Sequence, residues 1–461
     1  MALPRIDLGL GRDEQLPAAL LLILFATLCF VGGASREDVL AQAVIRAIAV
    51  LLMLIQISVG RLPQLGRYRA CVWLLGAMIA VAALQLVPLP PALWTALPGR
   101  ELVASIPLDA QPWRPLNLMP DAGWNALFSL LVPLCVLVLI ASMDSKNIGR
   151  VRHLMLGAVV FSALLGLLQA VGIAPDNRLI NGSATDYAGT FANRNHQALF
   201  LAIGIAIAWF WGFERAGSWR NRRLWFAVCI VSLLAITILV TGSRSGALLG
   251  ALAVVASVPL AQSRRANGNR LPVVGWIVLA LVGVGAVLLL GLYFGRAQSL
   301  YRVTNLDWND ELRLRTLPTV WQVIRTYFPF GAGLGTFDSV FRAAEPFSLL
   351  RQTYFNHAHD DFAETVIETG IFGPIIILSA TFWLVRRTAA SLTRGWAGAR
   401  TGRLGALIVA LILIASISDY PARTPMIMAV LAVAGCWLTD TARRREAVCP
   451  SDALPAIGKP L

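Results

Sequence analysis

Residues 356–374, NHAHDDFAETVIETGIFGP, crowd His357, His359, Asp360, Asp361, Glu364 and Glu368 ahead of an apolar run that starts at Gly370. The chain holds only four histidines in 461 residues and is 57% hydrophobic, so this density of titratable groups marks a place for chemistry. Such groups cost little at a wet membrane surface and several kcal/mol in lipid. A helix beginning near Asp360 sets both aspartates against its positive end. His357 and His359 are two residues apart, and an extended backbone aims both rings the same way. A neutral imidazole near physiological pH is the state that a general base needs. Two other readings of the same residues stay open. HxHDD offers nitrogen and oxygen ligands to a metal, although no third histidine or carboxylate-rich partner loop accompanies it. The histidines also fit a purely structural role.

The elements that must position these groups are membrane helices. Charged residues make up 14% of the chain and the mean hydropathy is +0.68, which describes a polytopic membrane protein. No alternating barrel pattern is visible, so the fold class is an all-α bundle. About twelve apolar runs are long enough to cross the bilayer. They lie at roughly 16–33, 41–60, 70–90, 124–142, 153–173, 196–213, 224–241, 245–262, 271–294, 366–386, 404–419 and 425–440. One integral membrane domain is expected over 1–461, with a large helical periplasmic loop at 295–365 before the tenth span and a cytoplasmic tail at 441–461.

Net charge is +14, and all but Lys146 and Lys459 of the 39 basic residues are arginine. The excess sits in alternate short connections, around Arg61 to Arg69, Lys146 to Arg152, Arg215 to Arg223, Arg264 to Arg270 and Arg386 to Arg403. It therefore reads as topology, cytoplasmic by the positive-inside rule, and not as nucleic-acid binding. An even span number puts both termini inside. The first span lacks an A-x-A cleavage pattern and reads as a retained helix. The six cysteines form neither a CxxC nor an even loop set, which excludes a disulfide frame or zinc ribbon.

The other connections are longer and face outward. Residues 91–123, with Trp94 and Trp113, suit an interfacial segment at headgroup level. In 295–365 a helix is expected from about Glu311 to Tyr327, kinked or split by Pro318. Gly331, Gly333 and Gly335 then form GAGLG with no strand before it, so a dinucleotide site is rejected in favour of a tight loop beside the active site. No P-loop, HExxH or EF-hand pattern is present.

On this topology His196, His357 and His359 lie at the outer face, with Arg194, Arg244, Arg302, Arg313, Arg315 and Arg423. The orientation rule works against outer arginines, so these need another explanation. Arg244 sits in a hairpin so short that its guanidinium stays near the bilayer surface. It reads either as a snorkelling arginine or as half of an anion site, where guanidinium forks match phosphate oxygens.

Three stretches resemble the O-antigen ligase and O-antigen polymerase superfamily. They are GTFANRNHQALFL at 189–201, TGSRSGALL at 241–249, and GAGLGTF at 331–337 followed by HAHDDFAETVIETGIFG at 357–373. Asp360 stands where the family's ligases carry Asn, Ser or Gln. The resemblance implies metal-independent, inverting transfer of a glycan from an undecaprenyl-diphosphate carrier in the bacterial inner membrane, with the active site periplasmic and no cofactor. The acceptor is lipid A-core or another lipid-linked glycan. His359 is implied as base and Arg194 and Arg244 as holders of the diphosphate, with His357, Arg313, Arg315, Arg302 and Asn195 as substrate contacts. The rival is a transporter or flippase for a lipid-linked or anionic substrate, but carriers place ionisable groups at the midplane and show repeats, and this chain does neither.

Overall fold

The computed structural model describes residues 15–36, 39–106, 111–173, 177, 179–180, 187–214, 220–261, 308–350, 355–393 and 399–439. Helices dominate, and the described sheet is one antiparallel pair, β1 (Pro88–Leu89) and β2 (Arg114–Pro115). The helices are α1 (Leu16–Val31), α2 (Leu40–Val59), α3 (Arg69–Leu84), α4 (Pro91–Thr95), α5 (Glu101–Ala104), α6 (Pro120–Ser129), α7 (Leu131–Ala141), α8 (Ser145–Ala170), α9 (Arg194–Gly212), α10 (Arg220–Thr241) and α11 (Arg244–Ala261). They continue with α12 (Trp308–Tyr327), α13 (Phe337–Ala344), α14 (Asp361–Thr369), α15 (Phe372–Thr393), α16 (Ala399–Ala415) and α17 (Pro425–Thr439). Among the described residues, 7 helices are long and apolar enough to cross a membrane, and Leu16–Val31 and Pro425–Thr439 are shorter apolar helices. The expected span 271–294, Arg302 and the tail 441–461 lie outside the described residues, as does the side chain of Arg313.

Helix α9 is the centre of the bundle. Past its polar first turn it is apolar on every side, and a helix of that kind is stable only when surrounded. Its residues from His196 to Phe210 are all buried, and it packs on α8, α10, α11 and α16. Gly204 permits a close approach: a Cβ there would stand 2.3 Å from Val159 Cγ1 and 2.9 Å from Leu234 Cδ1.

Three expectations are corrected. The apolar run expected as one span over 366–386 is two elements, the short acidic α14 and the long α15. Gly370 separates them with φ 58°, and a Cβ there would fall 1.9 Å from Pro329 O, so the chain turns before it enters the apolar layer. Helix α12 runs through Pro318 as one element and is not split. Trp94 is not interfacial but buried, at 3% exposure, whereas Trp113 is 65% exposed. The cause is Arg100, itself fully buried, whose guanidinium lies 5.7 Å from the Trp94 ring and 5.5 Å from Tyr327. It donates to Leu116 O at 2.7 Å and Gly331 O at 3.3 Å, pinning the 88–117 segment to the glycine loop.

The helices set two groups of ends apart. At one, Arg152 and Arg223 pair with Glu214 at 2.7 and 3.4 Å, and Gln64 N donates to Ala141 O. At the other, Ala192 N donates to Gly33 O, Met426 N to Gly32 O and Asp361 N to Ser416 O. That second end carries the candidate site.

Candidate active site

Asp419, in the turn between α16 and α17, is the hub. Its Oδ2 accepts from Asn195 Nδ2 at 2.8 Å and Asn193 Nδ2 at 3.4 Å. Its Oδ1 accepts from Tyr420 N at 3.0 Å and lies 3.5 Å from His359 Nδ1 and 3.7 Å from His196 Nε2. Burial pushes this carboxyl up, but the adjacent His196 and His359 rings outweigh it and hold the group well below the usual carboxylate range. Tyr420 fills the space between three imidazoles, with centroids 4.1 Å from His357 and 5.1 Å from both His359 and His196.

The two arginine positions reach the hub through their neighbours. Asn193 caps α9 by accepting from Asn195 N, so Arg194 opens that helix between two residues bound to Asp419. Asn195 Oδ1 accepts from Ser243 Oγ at 2.7 Å, and Ser243 Oγ also takes Gly246 N at 2.9 Å at the start of α11. Arg244, the first residue of α11, is thereby tied to the same junction. Arg194, Arg244 and His359 are all partly exposed there.

Both histidine rings converge on Tyr420, but not through an extended backbone. His359 has φ 53°, a left-handed conformation that a side chain with a Cβ adopts at a cost of order 1–3 kcal/mol. The expected helix start is in place: Asp360 caps α14, accepting from Phe362 N and Ala363 N. Its carboxyl is raised by burial despite those two donors.

A second network lies beneath. Asp361, Glu364 and Glu368 share one face of α14 at helical spacing, and Arg423 meets all three, at 3.4, 3.2 and 2.9 Å. Arg423, grouped on sequence with the outer arginines suited to an anion, is therefore engaged by the chain's own carboxylates. Glu364 also meets His357 Nδ1 at 2.8 Å and accepts from Ala358 N at 2.7 Å. Glu368 Oε1 accepts from Gly335 N at 2.9 Å, which is how the glycine loop supports the site. The three acids divide the charge. Burial raises Glu364, but Arg423 and His357 bring it down. Burial, reinforced by Glu364, leaves Glu368 raised despite Arg423. Asp361 is pushed up to about 6 by burial, against the pull of Arg423 and with a further push from Glu364.

A carboxyl raised in the fold stabilises fully below its ordinary value and loses that contribution as pH rises through the folded value. For Asp361 the window runs from 3.8 to about 6. Wild-type protein is expected to lose up to about 3 kcal/mol more than Asp361→Asn across it. Thermal unfolding of both proteins in detergent at a series of pH values across that window measures the difference. Parallel curves would refute the raised carboxyl.

The placement of the sequence candidates is then uneven. His359 and Asn195 meet at Asp419, Arg194 and Arg244 stand next to residues of that junction, and His357 joins it through Tyr420. Arg315 is exposed on α12, outside this network. Asp419 and Tyr420 were missed, and Asp419 stood inside the expected span 404–419. An aspartate ending a membrane-length run is the signal that marks it. Among the described residues, no three His, Cys, Asp or Glu side chains form a metal-holding group.

Residues 229–378 match the family model described as O-antigen ligase. The match includes Arg244, His357 and His359 and supports, over that stretch, the resemblance to the O-antigen ligase and polymerase superfamily. No curated protein matches the chain significantly.

Proposed function

We propose that this chain acts as a member of the O-antigen ligase and polymerase superfamily and transfers a glycan from an undecaprenyl-diphosphate carrier to an acceptor sugar hydroxyl, with inversion, at the periplasmic face of the inner membrane. The observation that carries the reading is the Asp419 junction: one buried carboxylate joins His359 to the asparagines flanking Arg194, and Asn195 joins that helix start to Ser243 beside Arg244. Three stretches distant in sequence thus meet at the same helix ends, and the proposal takes His359, Arg194 and Arg244 as their working groups, at span ends and not at the midplane where a carrier would keep its charges.

In the proposed reaction His359 takes the proton of the acceptor hydroxyl through Nε2. The oxygen attacks the anomeric carbon as its bond to the diphosphate breaks, and undecaprenyl diphosphate leaves with the electron pair. Asp419 beside Nδ1 favours the imidazolium that forms. Arg194 and Arg244 hold the diphosphate and offset its growing charge, the electrostatic contribution that dominates such sites. His357, Arg302, Arg313 and Arg315 are proposed substrate contacts of lower rank, Arg315 the least supported because it stands outside the network. The topology that goes with this has twelve spans, both termini cytoplasmic and 295–365 periplasmic. The basic connections at the opposite helix ends support that orientation.

Purified Arg244→Ala and Arg194→Ala are each expected to transfer labelled lipid-linked glycan on the order of 10²–10³-fold more slowly while remaining folded. Undiminished transfer by either removes that residue from the site. A deletion strain distinguishes the acceptors. Long unattached chains identify lipid A-core as the acceptor, and single repeats on the core identify a lipid-linked glycan.

A further inference from the structure

Helix α12 has more apolar surface than its packing uses. Thr316, Thr319, Val320 and Val323 are buried, the two valines in a cluster with Phe337, Phe341 and Ile367 of α13 and α14. Arg315, Gln322, Arg325 and Thr326 form a separate exposed polar sector. Between these sectors Leu317, Trp321 and Phe328 remain 51%, 55% and 47% exposed. Their spacing of four and seven puts them in one line along the helix.

The line continues past the helix. Phe330 is 41% exposed, and Ile371 N donates to Pro329 O at 2.9 Å, so this end of α12 adjoins the start of α15. There Ile371, Ile375, Leu378 and Phe382 are exposed at the same helical spacing, on a helix long and apolar enough to cross the membrane. Beside the line, the Arg325 guanidinium lies 5.3 Å from the Trp321 ring centroid, leaving a cation next to an amphipathic indole.

We infer that α12 lies in the headgroup layer of the bilayer, with Leu317, Trp321 and Phe328 entering the lipid and Arg325 at phosphate level. Phospholipid is the occupant because the apolar line is continuous with the lipid-facing side of α15. An apolar line with tryptophan, flanked by arginine, is the composition that holds a helix in the interface. The headgroup-level role that the sequence assigned to Trp94 thereby falls to Trp321. Since α12 packs on α14, its immersion also sets the height of His357 and His359 against the headgroups. The lipid contact itself is independent of any transfer activity.

Full-length protein in phosphatidylglycerol–phosphatidylcholine nanodiscs tests this with a photocrosslinker. Trp321→p-benzoylphenylalanine and, separately, Leu317→p-benzoylphenylalanine are each expected to give roughly tenfold more phospholipid adduct by mass spectrometry than Gln322→p-benzoylphenylalanine on the polar side. Equal adduct at all three positions, or crosslinking of 321 and 317 to protein in place of lipid, overturns the proposal.

Discussion

Asp419→Asn is expected to lower turnover on the order of 10²–10⁴-fold with little change in apparent KM, the range over which a positioned base contributes. The substitution keeps the shape and its one remaining oxygen can still accept from Asn195 or from Tyr420 N, but it removes the charge 3.5 Å from His359 Nδ1. That charge is present at neutral pH, because the neighbouring His196 and His359 overcome the cost of its burial. Without it the imidazolium formed on proton transfer loses its counter-charge, and the left-handed turn at His359 loses the contact that orients its ring. His359→Ala is expected to cost as much, and the double variant little more, since residues acting as a unit are not additive. Labelled-glycan transfer by purified protein measures all three. A loss in Asp419→Asn that appears only as raised KM would assign Asp419 to substrate binding and not to the base.

What the sequence made legible was chemistry carried on single elements. The crowding of 356–374 singled out the candidate site, and Asp360 capped a helix where the pattern required it. Arg194 and Arg244 stood out because the orientation rule left them unexplained. The acidic face of α14 was equally readable, since positions 361, 364 and 368 repeat at helical spacing. What paired with that face was not. Arg423 lies between the last two helices, and nothing local distinguishes a guanidinium bound for phosphate from one bound for three carboxylates. Asp419 was hidden differently, because hydropathy counts a span to its last apolar neighbour and does not ask whether the final residue leaves the lipid. The span at 366–386 failed for the same reason: Gly370 contributes almost nothing to hydropathy, yet its positive φ and its approach to Pro329 O turn the chain.

Arg423→Met is the largest stability effect expected, about 3–5 kcal/mol at neutral pH, because it strips the cation from carboxylates that stay buried. Glu364 and Glu368 are fully buried, and each relies on Arg423 at 3.2 or 2.9 Å to offset the burial that raises it. With the cation gone both carboxyls are pushed up, so the fold keeps its stability below their ordinary range and loses it as pH rises through the new values. Arg423→Met should therefore approach wild type in acid and fall furthest behind it in mild alkali, which thermal unfolding across pH reads directly. Adding Glu368→Gln should restore part of the loss, since removing a partner relieves a buried charge that has nothing to balance it. Hydrogen bonding from Gly335 N to position 368 survives that change, so the glycine loop keeps its anchor. A deficit independent of pH, with no rescue, would mean that Arg423 acts through packing and not through its charge.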